Sequence, residues 1–190
     1  MQFFHDFNEE IPTEFYSSEN HQIPTKCSVC DQAFGNRHFF IEKAFQKTHD
    51  HTEFQMTFEY AICEHCKKGM MKSISKKSME HIQEFVKDGF PGFQSFDPKD
   101  LDIQHLLNHC MASGQAIEEL DAYHLVGIFK NGKMVQMPMV YGEHFIEAYS
   151  EILSEETKDF FDDFFNHITL LPPTLAKILE DEKPKRPVLI

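Results

Sequence analysis

The feature that most constrains this chain is a pair of C-x-x-C motifs, Cys27-Ser28-Val29-Cys30 and Cys63-Glu64-His65-Cys66. Two intervening residues let one tight turn aim both thiolates at a common point. Two such turns complete a tetrahedral four-sulfur site, a geometry that suits zinc with bonds of about 2.3 Å. The stretch between the pairs is longer than the ~15–20 residues of the commonest double C-x-x-C pattern, so the chain must leave the site and return to it. Residues 53–62 supply the return. Phe54, Met56, Phe58, Tyr60 and Ile62 alternate with Glu53, Gln55, Thr57, Glu59 and Ala61, the period of a half-buried strand that runs directly into Cys63. The segment from His38 to Gln46 is apolar enough to be its hairpin partner, with the polar residues 47–52 as the loop.

Other readings of the cysteines explain less. A redox dithiol needs one C-x-x-C at a helix start after a strand; the second pair fits that, and the first is then unexplained. A rubredoxin-type iron site uses the same four ligands, and zinc is preferred here as the single ion. With all four positions filled by the protein, no place is left for water or substrate, so the expected zinc is structural and its binding energy goes into folding. The fifth cysteine, Cys110, falls on the apolar side of a helical pattern and reads as a core thiol.

The two cysteine pairs and the hairpin between them resemble the zinc ribbon, a class of small zinc-bound β units built on two cysteine turns at hairpin tips. The resemblance covers residues 23–68 and implies one zinc ion on Cys27, Cys30, Cys63 and Cys66. Asp31 and Lys67 stand where the commonest ribbon turn carries glycine. The class includes nucleic-acid binders, enzyme inserts and protein adaptors, so it fixes no function.

The rest of the chain predicts an α+β protein, a zinc-bound unit with an extended hairpin followed by a helix-rich half containing one β-hairpin. Residues 1–22 read as an irregular arm packed through Phe3, Phe4, Phe7 and Phe15. Residues 23–89 form the ribbon-like unit plus a helix, marked by Met70, Met71, Ile74, Met79, Ile82, Phe85 and Val86 at spacings of three and four and stopped at Gly89. Phe90 to Phe96 is the expected linker. Residues 97–181 form the second half: a helix entered at Asp97-Pro98 and left near Gly114, a hairpin turning at Asn131-Gly132, helices at 143–153 and 155–168, and a short helix at 174–181. Pro138 confines its strand to an edge or an irregular end. Residues 182–190 read as a flexible tail. No internal repeat or low-complexity tract is legible.

Charge narrows the function classes. A formal net charge of −13 argues against a nucleic-acid backbone or an anionic membrane as the main partner. Five lysines between Lys67 and Lys77 form a local basic exception, and residues 143–163 an acidic stretch. The acidic N-terminus does not suit a signal peptide and no apolar run approaches ~18 residues, so the expected setting is the cytoplasm, with reduced thiols. The leading reading is a non-enzymatic zinc protein that binds another protein as a module or adaptor. One alternative is a metal-dependent enzyme with a second site near His105, His109, Asp121 and His124; these lack the H-E-x-x-H pattern. Another is a nucleic-acid-binding ribbon protein. His65 is expected to face solvent, and Glu143, His144 and Glu147 to lie on a solvated helix face.

Overall fold

The computed structural model describes residues 9–50, 53–87 and 102–168, the last four of these by backbone alone. Its centre is a six-stranded antiparallel sheet. The strands are β1 (Glu9–Glu10), β2 (Phe39–Lys47), β3 (Phe54–Cys63), β4 (Ala122–Lys130), β5 (Lys133–Met134) and β6 (Met139–Gly142). Their order is β1-β5-β4-β2-β3, with β6 beside β5 on the same edge of β4. The helices are α1 (Glu64–Ser73), α2 (Lys76–Lys87), α3 (Ile103–Asn108), α4 (Glu143–Glu151) and α5 (Glu155–Ile168). The mixed α+β class expected from the pattern is what forms.

The two expected hairpins are present, each with an irregularity the alternation conceals. In β2–β3 the register runs from Phe39 opposite Cys63 to Ala44 opposite Phe58, then slips so that Phe45 faces Met56. The extra residue, Thr57, reverses the side-chain alternation beyond it. Phe54 and Met56 therefore share a face with Phe45 and Tyr123 rather than with Phe58 and Tyr60; the Tyr123 ring lies 4.8 Å from Phe45 and 5.0 Å from Phe54. The second hairpin turns at Asn131 and Gly132, both at positive φ (52° and 71°). Between Met134 and Met139 its returning arm bulges away from β4, over the stretch that holds Pro138.

One face of the sheet carries α1, α2, α4 and α5. Tyr60 meets Phe164 and Tyr141 stacks on Phe145. Beneath these helices lies a buried polar group: Tyr60 donates to Glu42, and His124 Nδ1 is 2.8 Å from Glu42 Oε1. Burial, then the Glu42 charge, pushes the Tyr60 phenol well above its ordinary range. Lys67 covers the ring of Phe40 at 3.9 Å, and burial lowers its ammonium more than the Glu42 carboxylate raises it.

The N-terminal segment covers the opposite face. Lys43 is buried there, donating to the Tyr16 carbonyl and pairing with Glu59 at 3.1 Å, while Glu59 accepts from Ser17 and Ser18. Phe15 is fully buried over Gly127, where a Cβ would lie 2.5 Å from Phe129 and 2.7 Å from Phe15. The arm expected at 1–22 is thus attached to the sheet from Glu9 onward; Phe3, Phe4 and Phe7 lie outside the described residues.

Several expectations change. The helix placed at 70–89 begins at Glu64 and breaks at Ser75 into α1 and α2, because Ser75 Oγ caps the second helix by accepting from Ser78 N at 3.1 Å. The expected helix start at Asp97-Pro98 lies outside the described residues; within them a short helix is capped by Asp102, whose carboxylate accepts from His105 N at 2.7 Å. It ends before Cys110, which sits in a turn. The linker at 90–96, the helix at 174–181 and the tail at 182–190 fall outside the described residues. The segments on either side of the linker do not keep separate cores: β2 pairs with β4 from Phe39–Phe129 to Gln46–Ala122, and one apolar cluster draws on both.

Gly127 gives a direct check on this packing. Gly127→Ala should cost about 1–3 kcal/mol through overpacking against two rings, read as a lower urea midpoint. Adding Phe15→Leu should recover part of the loss. An unchanged midpoint for Gly127→Ala would mean Phe15 does not pack there.

Candidate metal centre

The four cysteines converge. Their sulfur atoms all lie within 4.8 Å of one another, with Cys30 and Cys63 at 4.0 Å. A tetrahedral ion with bonds of about 2.3 Å needs sulfur–sulfur edges of roughly 3.8 Å, so sub-ångström adjustment would close the cluster on an ion. It is the one cluster of three or more ligand-type side chains among the described residues.

The first pair sits in a small knuckle. Lys26 bridges Ala33, Cys27 N donates to Gln32 O at 2.9 Å, and Asp31 N donates to Cys27 O at 2.9 Å. Asp31 has φ +54°, which explains why glycine is common at this position and why aspartate, tolerant of left-handed backbone, can replace it. Ser28 then ties the knuckle to β3: its N donates to Ala61 O at 2.7 Å, and its Oγ accepts from Ala61 N at 3.0 Å.

The second pair departs from the ribbon expectation. Instead of a hairpin tip it occupies the junction of β3 and α1. Cys63 is the N-cap, its sulfur 3.5 Å from Cys66 N, and Lys67 is helical, so no glycine is needed after Cys66. A helix N-terminus presents unpaired N–H groups and a partial positive charge, which favour thiolates. The set is therefore one knuckle plus one helix start.

Burial raises the Cys27 thiol, but N–H groups of Cys63, Cys30 and Val29, with the Cys30 thiol, outweigh it and bring it down to about 7. Cys66 is pushed up, first by burial and then by its cysteine neighbours. Cys27 and Cys63 are buried, Cys66 is half-buried and Cys30 is exposed, so the cluster reaches the surface at Cys30.

The other candidates scatter. His105 and His109 stack on each other with centroids 4.0 Å apart, and His109 Nδ1 lies 3.0 Å from His105 O. His124 is buried against Glu42, on the sheet face opposite Tyr123. These histidines and Asp121 form no ligand cluster among the described residues. Glu143 accepts from Ala122 N at 3.3 Å, while His65 and His144 are exposed. The Glu42–His124–Tyr60 group was invisible in sequence, since its members lie on three different strands.

No family model matches this chain, and neither does any curated protein or solved structure.

Thiols must lose protons to bind an ion, so Co2+ affinity should fall steeply as pH drops from about 8 to about 6. The bound form should show intense sulfur-to-cobalt absorption. A pH-independent affinity, or a Cys66→Ser variant that binds as tightly, would exclude a four-thiolate site.

Proposed function

We propose that this chain is a non-enzymatic binding protein in which one zinc ion, held by Cys27, Cys30, Cys63 and Cys66, is a structural element. The closed four-thiol cluster carries this reading, because an ion there has every coordination position taken by the protein. Its place supports it further: the ion would join the knuckle to the junction of β3 and α1, adding to the Ser28–Ala61 hydrogen bonds already there. Zinc is preferred to iron because a four-cysteine site at a fold junction needs no electron transfer. Thiols kept reduced in a cytoplasmic setting fit the same reading.

A role in binding another protein is supported by the outer helix faces. Glu147, Glu151, Glu155, Glu156, Asp159 and Asp163 lie along the exposed side of α4 and α5, a surface suited to a basic polypeptide. The lysine run is a poorer match to nucleic acid. Lys68 pairs with Glu64 at 2.5 Å, Lys76 with Glu80 at 3.6 Å, and Lys67 folds over Phe40. Duplex DNA should therefore bind weakly and without sequence preference at physiological salt.

The test is metal content followed by removal. Chain purified under reducing conditions should be colourless with one zinc. Chelation should lower the thermal midpoint of the whole sheet, since β2 and β4 share it, and hydrogen-exchange protection should fall from β3 through β4 together. A red iron protein, or a metal-free chain with full protection, would overturn the structural-zinc reading.

A further inference from the structure

The turn at Cys110 repeats the knuckle at Cys27 bond for bond. Cys110 N donates to Gln115 O at 2.8 Å, as Cys27 N does to Gln32 O; Gly114 N donates to Cys110 O at 2.7 Å, as Asp31 N does to Cys27 O. His109 bridges Ala116 as Lys26 bridges Ala33, and Gly114 has φ +77° where Asp31 has +54°. Met111 N donates to Val140 O at 2.8 Å, the counterpart of Ser28 N to Ala61 O. Finally, Gly142 N points at Cys110 Sγ at 3.2 Å, as Cys63 N points at Cys27 Sγ at 3.4 Å.

The correspondence continues along the chain. Cys63 (φ −75°, ψ 157°) caps α1 and Gly142 (φ −75°, ψ 168°) caps α4. Twelve residues further on, Ser75 and Ser154 precede α2 and α5. Each of these serines caps its own helix and donates its backbone N–H to a hydroxyl of the other copy. Ser75 N donates to Thr157 Oγ1 at 3.0 Å, Ser154 N donates to Ser78 Oγ at 2.8 Å, and the two serine hydroxyls meet at 2.8 Å. The sheet obeys the same relation. Phe39 faces Cys63 and Tyr123 faces Gly142, which makes Phe39 the counterpart of Tyr123 and Phe45 that of Phe129. In the β2–β4 ladder Phe39 faces Phe129, Phe45 faces Tyr123, and Glu42 faces its own counterpart Val126, so the pairing is unchanged when the copies are exchanged.

We propose that residues 109–168 are a second copy of the metal unit 26–87, related to it by a two-fold axis through the β2–β4 pairing, and that the second copy holds a degenerate site for a thiophilic divalent cation. The positions of Cys27, Cys30, Cys63 and Cys66 are occupied there by Cys110, Ser113, Gly142 and Phe145. All four line a single cavity of about 230 Å³. One ligand survives, and Phe145, stacked on Tyr141 at 4.6 Å, fills the place of another with apolar packing. This rests on the reading of the first cluster as a metal site, and it corrects the absence of a repeat in the linear sequence. The surviving signal is small: Cys-x-x-Cys-Asp-Gln-Ala at 27–33 against Cys-x-x-Ser-Gly-Gln-Ala at 110–116, and Glu-His after both Cys63 and Gly142.

Reinstating the lost ligands tests the proposal. Backbone at Gly142 already lies close to the dihedrals of Cys63, and the nearest atoms a Cβ there would meet are the tip of Leu120, at 3.0 and 3.2 Å, and Cys110 Sγ at 3.5 Å. The full chain carrying Ser113→Cys, Gly142→Cys and Phe145→Cys, kept reduced, should bind two Co2+ where the unaltered chain binds one, the second with tetrahedral thiolate bands. A folded triple variant that still binds one would overturn the degenerate site. Should losing Phe145 unfold the chain, Ser113→Cys/Gly142→Cys keeps that ring and offers three thiolates to Cd2+. A second sulfur-to-cadmium absorption step supports the proposal, and its absence at saturating Cd2+ overturns it. An unaltered chain that binds no ion would instead refute the first site, and the increment between variant and unaltered chain would still decide the second.

Discussion

The antiparallel pairing of β2 with β4 is the contact on which the rest of the molecule depends. It joins residues 76 to 90 positions apart in sequence and places their hairpins side by side in one sheet. Once that ladder is set, the segments that follow β3 and β6 fall on the same face. The starts of α2 and α5 then meet, and the backbone donors of Ser75 and Ser154 are satisfied by the hydroxyls of Thr157 and Ser78. Helix starts carry unpaired N–H groups, and bringing two of them together would be costly without such an exchange. Ser78 and Thr157, both fully buried, complete the arrangement.

The same ladder fixes where polar groups can be buried. Glu42 lies at its centre, and with Tyr60 and His124 it forms a hydrogen-bonded group under the helices. Lys43, the next residue along β2, points to the other face and ties down Tyr16 and Glu59. One strand thus anchors the helical layer through an acid and the N-terminal layer through a base. Isolated, either charge would be expensive inside the fold; each is tolerated because its partners come from neighbouring strands or from the segment packed over them.

In the first half the knuckle and the helix start are held together by four sulfurs poised for an ion, with little apolar side chain between them. In the second half the same backbone geometry is kept by Gly142, Leu120 and Phe145, and Phe145 joins Tyr141, Tyr149 and Phe85 in the core. Metal coordination and aromatic packing are alternative ways to hold one backbone arrangement. The contrast within one chain agrees with a structural rather than chemical role for the first site.

The sequence by itself determined the two cysteine pairs that converge, the α+β class, the Asn131-Gly132 turn and the helices beginning at Glu143 and Glu155. Each depends on local spacing: two residues between thiols, a period of two or of about 3.6, and a dipeptide that accepts positive φ. Only the tertiary structure decided the rest. The Thr57 bulge moved Phe54 and Met56 to the other face, because register is set by pairing partners and not by the strand's own alternation. The break at Ser75 depends on hydroxyls supplied from Ser154 and Thr157. The kinship of the two halves stayed hidden because what they share is mainly backbone hydrogen bonding, which many side chains can support, whereas the cysteines that made the first half legible are replaced at three of four positions in the second.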